Sequence, residues 1–156
     1  MNNLMAGILL LACIIGFQLA MRYWRTARMK RWMDRGKQAL AQGDMDAAED
    51  AFRRCVALFP LWVPGRALLG AVLAKQGKLA EAEEQIRMAA ELQPREAAGH
   101  MGLGMFFATQ RPPRVDDAID AFSKAIECNP KLRERLAREP TIQHLRESER
   151  FRGLLE

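Results

Sequence analysis

Arg66 to Pro94 read RALLGAVLAKQGKLAEAEEQIRMAAELQP, two helix-length segments punctuated at Gly77 and closed by Pro94. A glycine between apolar runs marks a turn, and a proline ends the helix before it. Seven positions define the unit: Arg66, Gly70, Gly77, Ala82, Ile86, Ala89 and Pro94. Working back 34 residues, the same places hold Trp32, Gly36, Gly43, Ala48, Phe52, Cys55 and Pro60. Working forward, His100, Gly104, Ala118, Phe122, Ala125 and Pro130 follow in order. The last unit spaces Gly104 and Ala118 fourteen residues apart instead of twelve, which places two extra residues in the Thr109–Arg114 turn with Pro112 and Pro113.

A fixed period of this length is the signature of stacked helix hairpins, none of which can bury its apolar face alone. In such hairpins Gly36, Gly70 and Gly104 are expected to face the second helix of their own unit, where a side chain would crowd it. Phe52, Ile86 and Phe122 are expected to fill the space between neighbouring units. Asp44 suits the N-cap of the second helix of unit one. Beyond Pro130, a helix over Lys131 to Glu139 carries Leu132 and Leu136, with Ile126 as a further partner, and Pro140 stops it. Ile142, Leu145, Phe151, Leu154 and Leu155 then form an amphipathic end expected to fold back on the array, with a free partner-binding tail as the alternative.

This pattern resembles the tetratricopeptide repeat, W-x2-L-G-x2-Y followed by A-x3-F-x2-A-x4-P. Trp32 with Gly36, Leu69 with Gly70, and Leu103 with Gly104 and Phe107 carry the first halves. Ala48/Phe52/Pro60, Ala82/Ala89/Pro94 and Ala118/Phe122/Ala125/Pro130 carry the second halves. Arg35, Ala39, Arg66 and His100 depart from it. The resemblance implies an all-α solenoid of three repeats (29–62, 63–96 and 97–130) with capping helices over 131–156.

It also implies a concave groove lined by the first helix of each unit. The lining candidates are Met33 and Lys37, then Ala67, Leu68, Ala71 and Lys75, then Ala98, Met101, Gly102 and Met105. Family members that grip a chaperone's C-terminal carboxylate use a Lys/Asn/Arg set. The matching places here hold Met33, Lys37, Leu68, Ala98 and Gly102, of which Lys37 alone has the chemistry. The groove instead suits an amphipathic helix or apolar peptide, with adaptable methionines. The alternative is that the C-terminal segment or the array's own packing occupies it.

The remaining segment, residues 1–28, is of another kind. Leu4 to Met21 read LMAGILLLACIIGFQLAM, without charge and with Gln18 as the one polar side chain. As a helix this run is about 27 Å long, close to the hydrocarbon thickness of a bilayer. A secretory signal needs positive charge near its start, and Met1 to Met5 carry no Lys or Arg. A lipoprotein signal at Leu10–Cys13 conflicts with the apolar run continuing through Phe17. The expectation is therefore a retained transmembrane helix.

Seven basic residues and one acid lie between Arg22 and Lys37, against 17 basic and 18 acidic residues elsewhere. The net charge of +5 thus belongs to one flank, and it does not describe a nucleic-acid surface. Positive charge on that side predicts an outside N-terminus and cytoplasmic repeats. Tyr23 and Trp24 fall where an interfacial aromatic belt belongs. Ala12, Gly16 and Ala20 form a small-residue stripe on which a second membrane helix can pack closely. With no Pro or Gly between Phe17 and Arg35, the membrane helix is expected to run on into the first soluble helix.

No catalytic, metal or cofactor set emerges. His100 and His144 are far apart and lack a third ligand. Cys13, Cys55 and Cys128 suggest no disulfide framework. Gly99–Gly104 lies in a helical pattern rather than after a strand. The sequence reads as a non-catalytic, membrane-anchored adaptor that holds a protein partner, with no small-molecule substrate. Its layout resembles membrane-tethered repeat proteins of envelope biogenesis, which implies a bacterial inner membrane. The alternatives are an accessory subunit held in a larger membrane complex by its anchor, and a receptor for newly made proteins.

Overall fold

The computed structural model describes the backbone of residues 2–156 and the side chains of residue 8 and residues 10–156. Among the described residues there is no strand. One long helix, α1 (Asn2–Gln42), leads into α2 (Met45–Leu58), α3 (Val63–Lys75), α4 (Leu79–Leu92), α5 (Ala97–Thr109) and α6 (Val115–Cys128). The chain closes with α7 (Leu132–Arg138), a 3-10 segment over Pro140–Glu147 and α8 (Glu149–Leu155). The helices pair as antiparallel hairpins, α1 with α2, α3 with α4, and α5 with α6. α2 packs on α3 and α4 on α5 to stack the units.

The absence of breakers after Phe17 has its expected effect, because α1 continues without interruption through Arg22–Lys37. At 41 residues it is about 60 Å long. Its C-terminal third is the first helix of the first hairpin. Among the described residues no helix is long and apolar enough to cross a membrane. The anchor expected over residues 4–21 falls partly outside them.

The tight turns follow from their glycines. Gly43 and Gly77 take φ of 78° and 79°, the left-handed region that a side chain disfavours. The Asp44 side chain then accepts the Ala47 N–H at 2.9 Å and caps α2. α2, α4 and α6 each end two residues before Pro60, Pro94 and Pro130. The two added residues of unit three lie between Thr109 and Val115, outside both helices.

Within each hairpin one glycine sets how closely the helices approach. A Cβ built on Gly36 would lie 2.6 Å from Phe52 Cε1; on Gly70 it would strike Ile86, and on Gly104 the Phe122 ring. Phe52, Ile86 and Phe122 are buried, and each closes on the glycine of its own hairpin. Between units, a Cβ on Gly99 would lie 2.6 Å from Ala90 Cα, which brings α4 and α5 nearly backbone to backbone.

The C-terminal segment folds back as a cap. Leu136, Ile142, Leu145 and Phe151 are fully buried, and the Phe151 ring lies 6.2 Å from that of Phe122. Arg150 adds ion pairs to Asp116 and Asp120 on α6.

These contacts predict a graded response to adding one methyl group. Gly99→Ala meets backbone that no rotamer change can relieve, so it should lose about 1–3 kcal/mol of stability in urea unfolding. Gly153→Ala, with nothing within 4 Å of its Cβ, should be neutral or slightly stabilising. Equal stability of the two variants would contradict the packing described.

Candidate partner surface

On the first helices α1, α3 and α5, Lys37, Ala67, Ala71, Lys75 and Ala98 are exposed, while Leu68, Met101 and Met105 are half-buried against the core. Nine of the ten expected groove residues, Gly102 included, therefore reach solvent. Met33 does not: it is 7 % exposed and part of the core. It stands one turn before Gly36, where its flexible thioether turns inward. Ala67, 34 residues on, has too short a side chain to do the same.

The capping segment sits elsewhere. Its buried residues pack on α5, α6 and α7 at the end of the array, and Thr141 and His144 line a cavity with Ala108–Arg111 and Pro113. Leu68, Ala71 and Lys75 recur at i, i+3 and i+7 and share one face of α3, and Met101 and Met105 at i and i+4 share one face of α5. Such faces accept an apolar helix face, and Lys75 favours a partner carrying carboxylates beside it.

The opposite face is held by charge. Glu49 on α2 accepts from Lys78 Nζ at 2.7 Å and from Arg53 at 2.8 Å, and Arg53 reaches across to Glu81 on α4 at 2.6 Å. Its side chain is only 12 % exposed, and the Lys78 hydrogen bond, with help from Arg53 and Gln76, lowers its pKa to about 2. Arg114 plays the matching part between units two and three, pairing with Glu83 and Asp117 while stacking 4.3 Å from the Phe107 ring centroid.

The remaining sequence candidates scatter. His100 Nε2 lies 3.0 Å from the Pro94 carbonyl, remote in the chain from His144. Cys55 is buried, and burial pushes its thiol pKa up, which disfavours the thiolate that nucleophilic chemistry needs. Among the described residues no three His, Cys, Asp or Glu side chains gather as a metal site. Ala12, Gly16 and Ala20 are exposed, with nothing within 4 Å of a Cβ on Gly16.

The sequence reading missed the environment of Trp32. Its ring is flanked by the guanidinium groups of Arg54 at 4.4 Å and Arg35 at 5.5 Å, beside a cavity also lined by Arg28 and Arg31. Arg28, Arg31 and Arg35 recur at i, i+3 and i+7, so helical spacing was the available signal.

An array of stacked antiparallel hairpins with its first helices along one side is an α-solenoid. Residues 67–132 match the family model described as tetratricopeptide repeat. Solved structures agree on the fold. The chain is similar to a mutant of the Thermobaculum terrenum O-GlcNAc transferase, with 27% identity and a TM-score of 0.60 over 70% of this chain. It spans only 21% of that protein's length. It is also similar to the TPR domain of Arabidopsis OM64, with 13% identity and a TM-score of 0.63, covering 83% of this chain and 98% of that one. The TPR2B domain of yeast Sti1, solved as its pHsp70 complex, shares 14% identity and a TM-score of 0.62, covering 82% and 96% of the two chains. No curated protein matches the chain by sequence. The match and the shared fold support the tetratricopeptide-repeat family. Its members are typically protein-interaction scaffolds and generally non-catalytic, although the transferase carries its repeats beside an enzyme.

The Glu49 cluster predicts an acid-sensitive step. Its folded pKa lies below the ordinary 4.5, so its stabilisation is complete above 4.5 and is lost as pH falls through about 2. The loss should be on the order of 2 kcal/mol across that window. Glu49→Gln should flatten this part of the stability–pH curve; an unchanged slope would show the pair to be idle.

Proposed function

We propose that this protein is a non-catalytic, membrane-anchored tetratricopeptide adaptor. It holds an apolar or amphipathic helix of a protein partner at the cytoplasmic membrane face and supports assembly of a membrane or envelope complex. The observation that supports the reading is the apolar residues on the first helices, Leu68 with Ala71 on α3 and Met101 with Met105 on α5, which stay exposed or half-exposed to solvent. A binding surface of this kind needs no reactive group, and methionines adapt to more than one apolar shape.

The anchor rests on the uncharged run from Leu4 to Met21, followed at once by Arg22 and Arg25. On the positive-inside rule this puts the repeats in the cytoplasm, and the setting that fits is a bacterial inner membrane. With the apolar run as anchor, an unbroken α1 would hold the repeats at a fixed height above the membrane. A second reading is an accessory subunit packed into a larger complex through the small-residue stripe Ala12, Gly16 and Ala20. The lysines on the first helices and the limited length of the array favour one partner over the many unrelated peptides a receptor for newly made proteins would take.

Crosslinking pull-down from native membranes separates these readings. Ala71→Glu, alone and with Met105→Glu, should abolish recovery of one discrete partner while circular dichroism stays that of wild type; Gly16→Leu should leave recovery intact. Loss with Gly16→Leu alone would make the anchor the binding element and overturn the adaptor reading.

A further inference from the structure

The three repeats are not equivalent at their exits. Where unit two leaves its second helix through Gln93-Pro94-Arg95-Glu96 and unit three through Asn129-Pro130-Lys131-Leu132, unit one uses Phe59-Pro60-Leu61-Trp62. A charge stands two residues after the helix-ending turn begins in units two and three, and a leucine stands there in unit one. That leucine, Leu61, is 77 % exposed, as exposed as Tyr23 on α1. Repeat packing does not ask for it, since the equivalent places elsewhere are met by Arg95 and Lys131.

The position of this loop is fixed against α1. Arg25 donates from Nη2 to the Leu58 carbonyl at 2.6 Å, and its guanidinium lies 5.1 Å from the centroid of the Phe59 ring. Phe59 in turn lines a cavity of about 310 Å³ with Phe17, Gln18, Met21, Arg22 and Arg25. The Trp62 N–H bonds to the Phe59 carbonyl at 3.0 Å and closes the turn that presents Leu61. The loop therefore stands level with residues 17–25, where the uncharged run gives way to the basic flank.

We infer that the Phe59–Trp62 loop is a second membrane contact, inserting Leu61 into the interfacial layer of an anionic bilayer beside the point where α1 emerges. The inference rests on reading α1 as an anchor. If α1 spans the bilayer as far as Met21, a loop held against Phe17–Arg25 lies at the edge of the hydrocarbon. There an apolar, uncharged turn is favoured and a charged one is not. Arg22, Arg25 and Arg28 supply the complementary charge for anionic head groups. Two contacts, one spanning and one interfacial, limit the swing of the first hairpin and so set which way the groove faces.

The test uses the full chain in vesicles of phosphatidylcholine and phosphatidylglycerol. Cys13→Ala and Cys128→Ser remove the exposed thiols; Cys55 is buried. An environment-sensitive fluorophore is then placed singly by Leu61→Cys, Arg95→Cys, Lys131→Cys or, as the anchor reporter, Ile14→Cys. Lipids carrying a nitroxide near the ester serve as quenchers. Quenching and a blue shift at 61 and 14, with neither at 95 or 131, is the expected result. Quenching at 14 with a water-like signal at 61 overturns the loop contact and leaves the anchor standing. No quenching at 14 overturns the anchor reading, and the inference with it. Leu61 is exposed, so its substitution leaves folding intact, and Leu61→Ser should weaken the restraint without loss of helix content.

Discussion

The contact between one glycine and one bulky side chain in each hairpin is the constraint on which the architecture depends. Gly36 against Phe52, Gly70 against Ile86 and Gly104 against Phe122 let paired helices approach until their surfaces interlock. Adding a methyl group at any of them sets a carbon inside the contact distance of a buried side chain. The glycines recur every 34 residues and their partners after 34 and then 36, so each unit repeats the same contact, with second helices on one side of the array and first helices on the other. Dispersion and apolar burial hold this arrangement. The ion pairs across units, exposed at one or both partners, add on the order of 0–1 kcal/mol each.

The first of these contacts also connects the array to what precedes it. Gly36 lies on α1, and α1 reaches back without a break to the apolar run at its start. Phe52 thus fastens the whole array to a single long helix, while Arg25 fastens the neighbouring loop to the same helix further down. At the other end Phe151 closes on Phe122, so the end of the last repeat is covered by the chain itself.

Much of this was legible because it depends on residues with strong local preferences. Gly43 and Gly77 announce left-handed turns, Asp44 a cap, and Pro60, Pro94 and Pro130 helix ends. Phe151 and Leu145 suit a cap that a solenoid requires. Met33 was misread because lining a groove and filling a core lie one turn apart on the same helix, and a long thioether bends toward whichever side has space. The clustering of Arg28, Arg31 and Arg35 around Trp32 was hidden by reading the basic residues only against the membrane, as topology determinants or head-group contacts. The tie between Arg25 and the Leu58–Phe59 loop joins residues 33 positions apart, beyond the reach of any local pattern.

One helix runs from the apolar segment into the first repeat with no hinge between, and the proposed anchor depends on that continuity. Hydrogen exchange of the full chain in lipid nanodiscs addresses it directly. Protection should be continuous from the apolar run through Tyr23 and Met29 to Gln42, with the amides of 22–30 exchanging as slowly as those of the packed segment that contains Gly36. Rapid exchange confined to 22–30 would reveal a flexible joint and contradict the account.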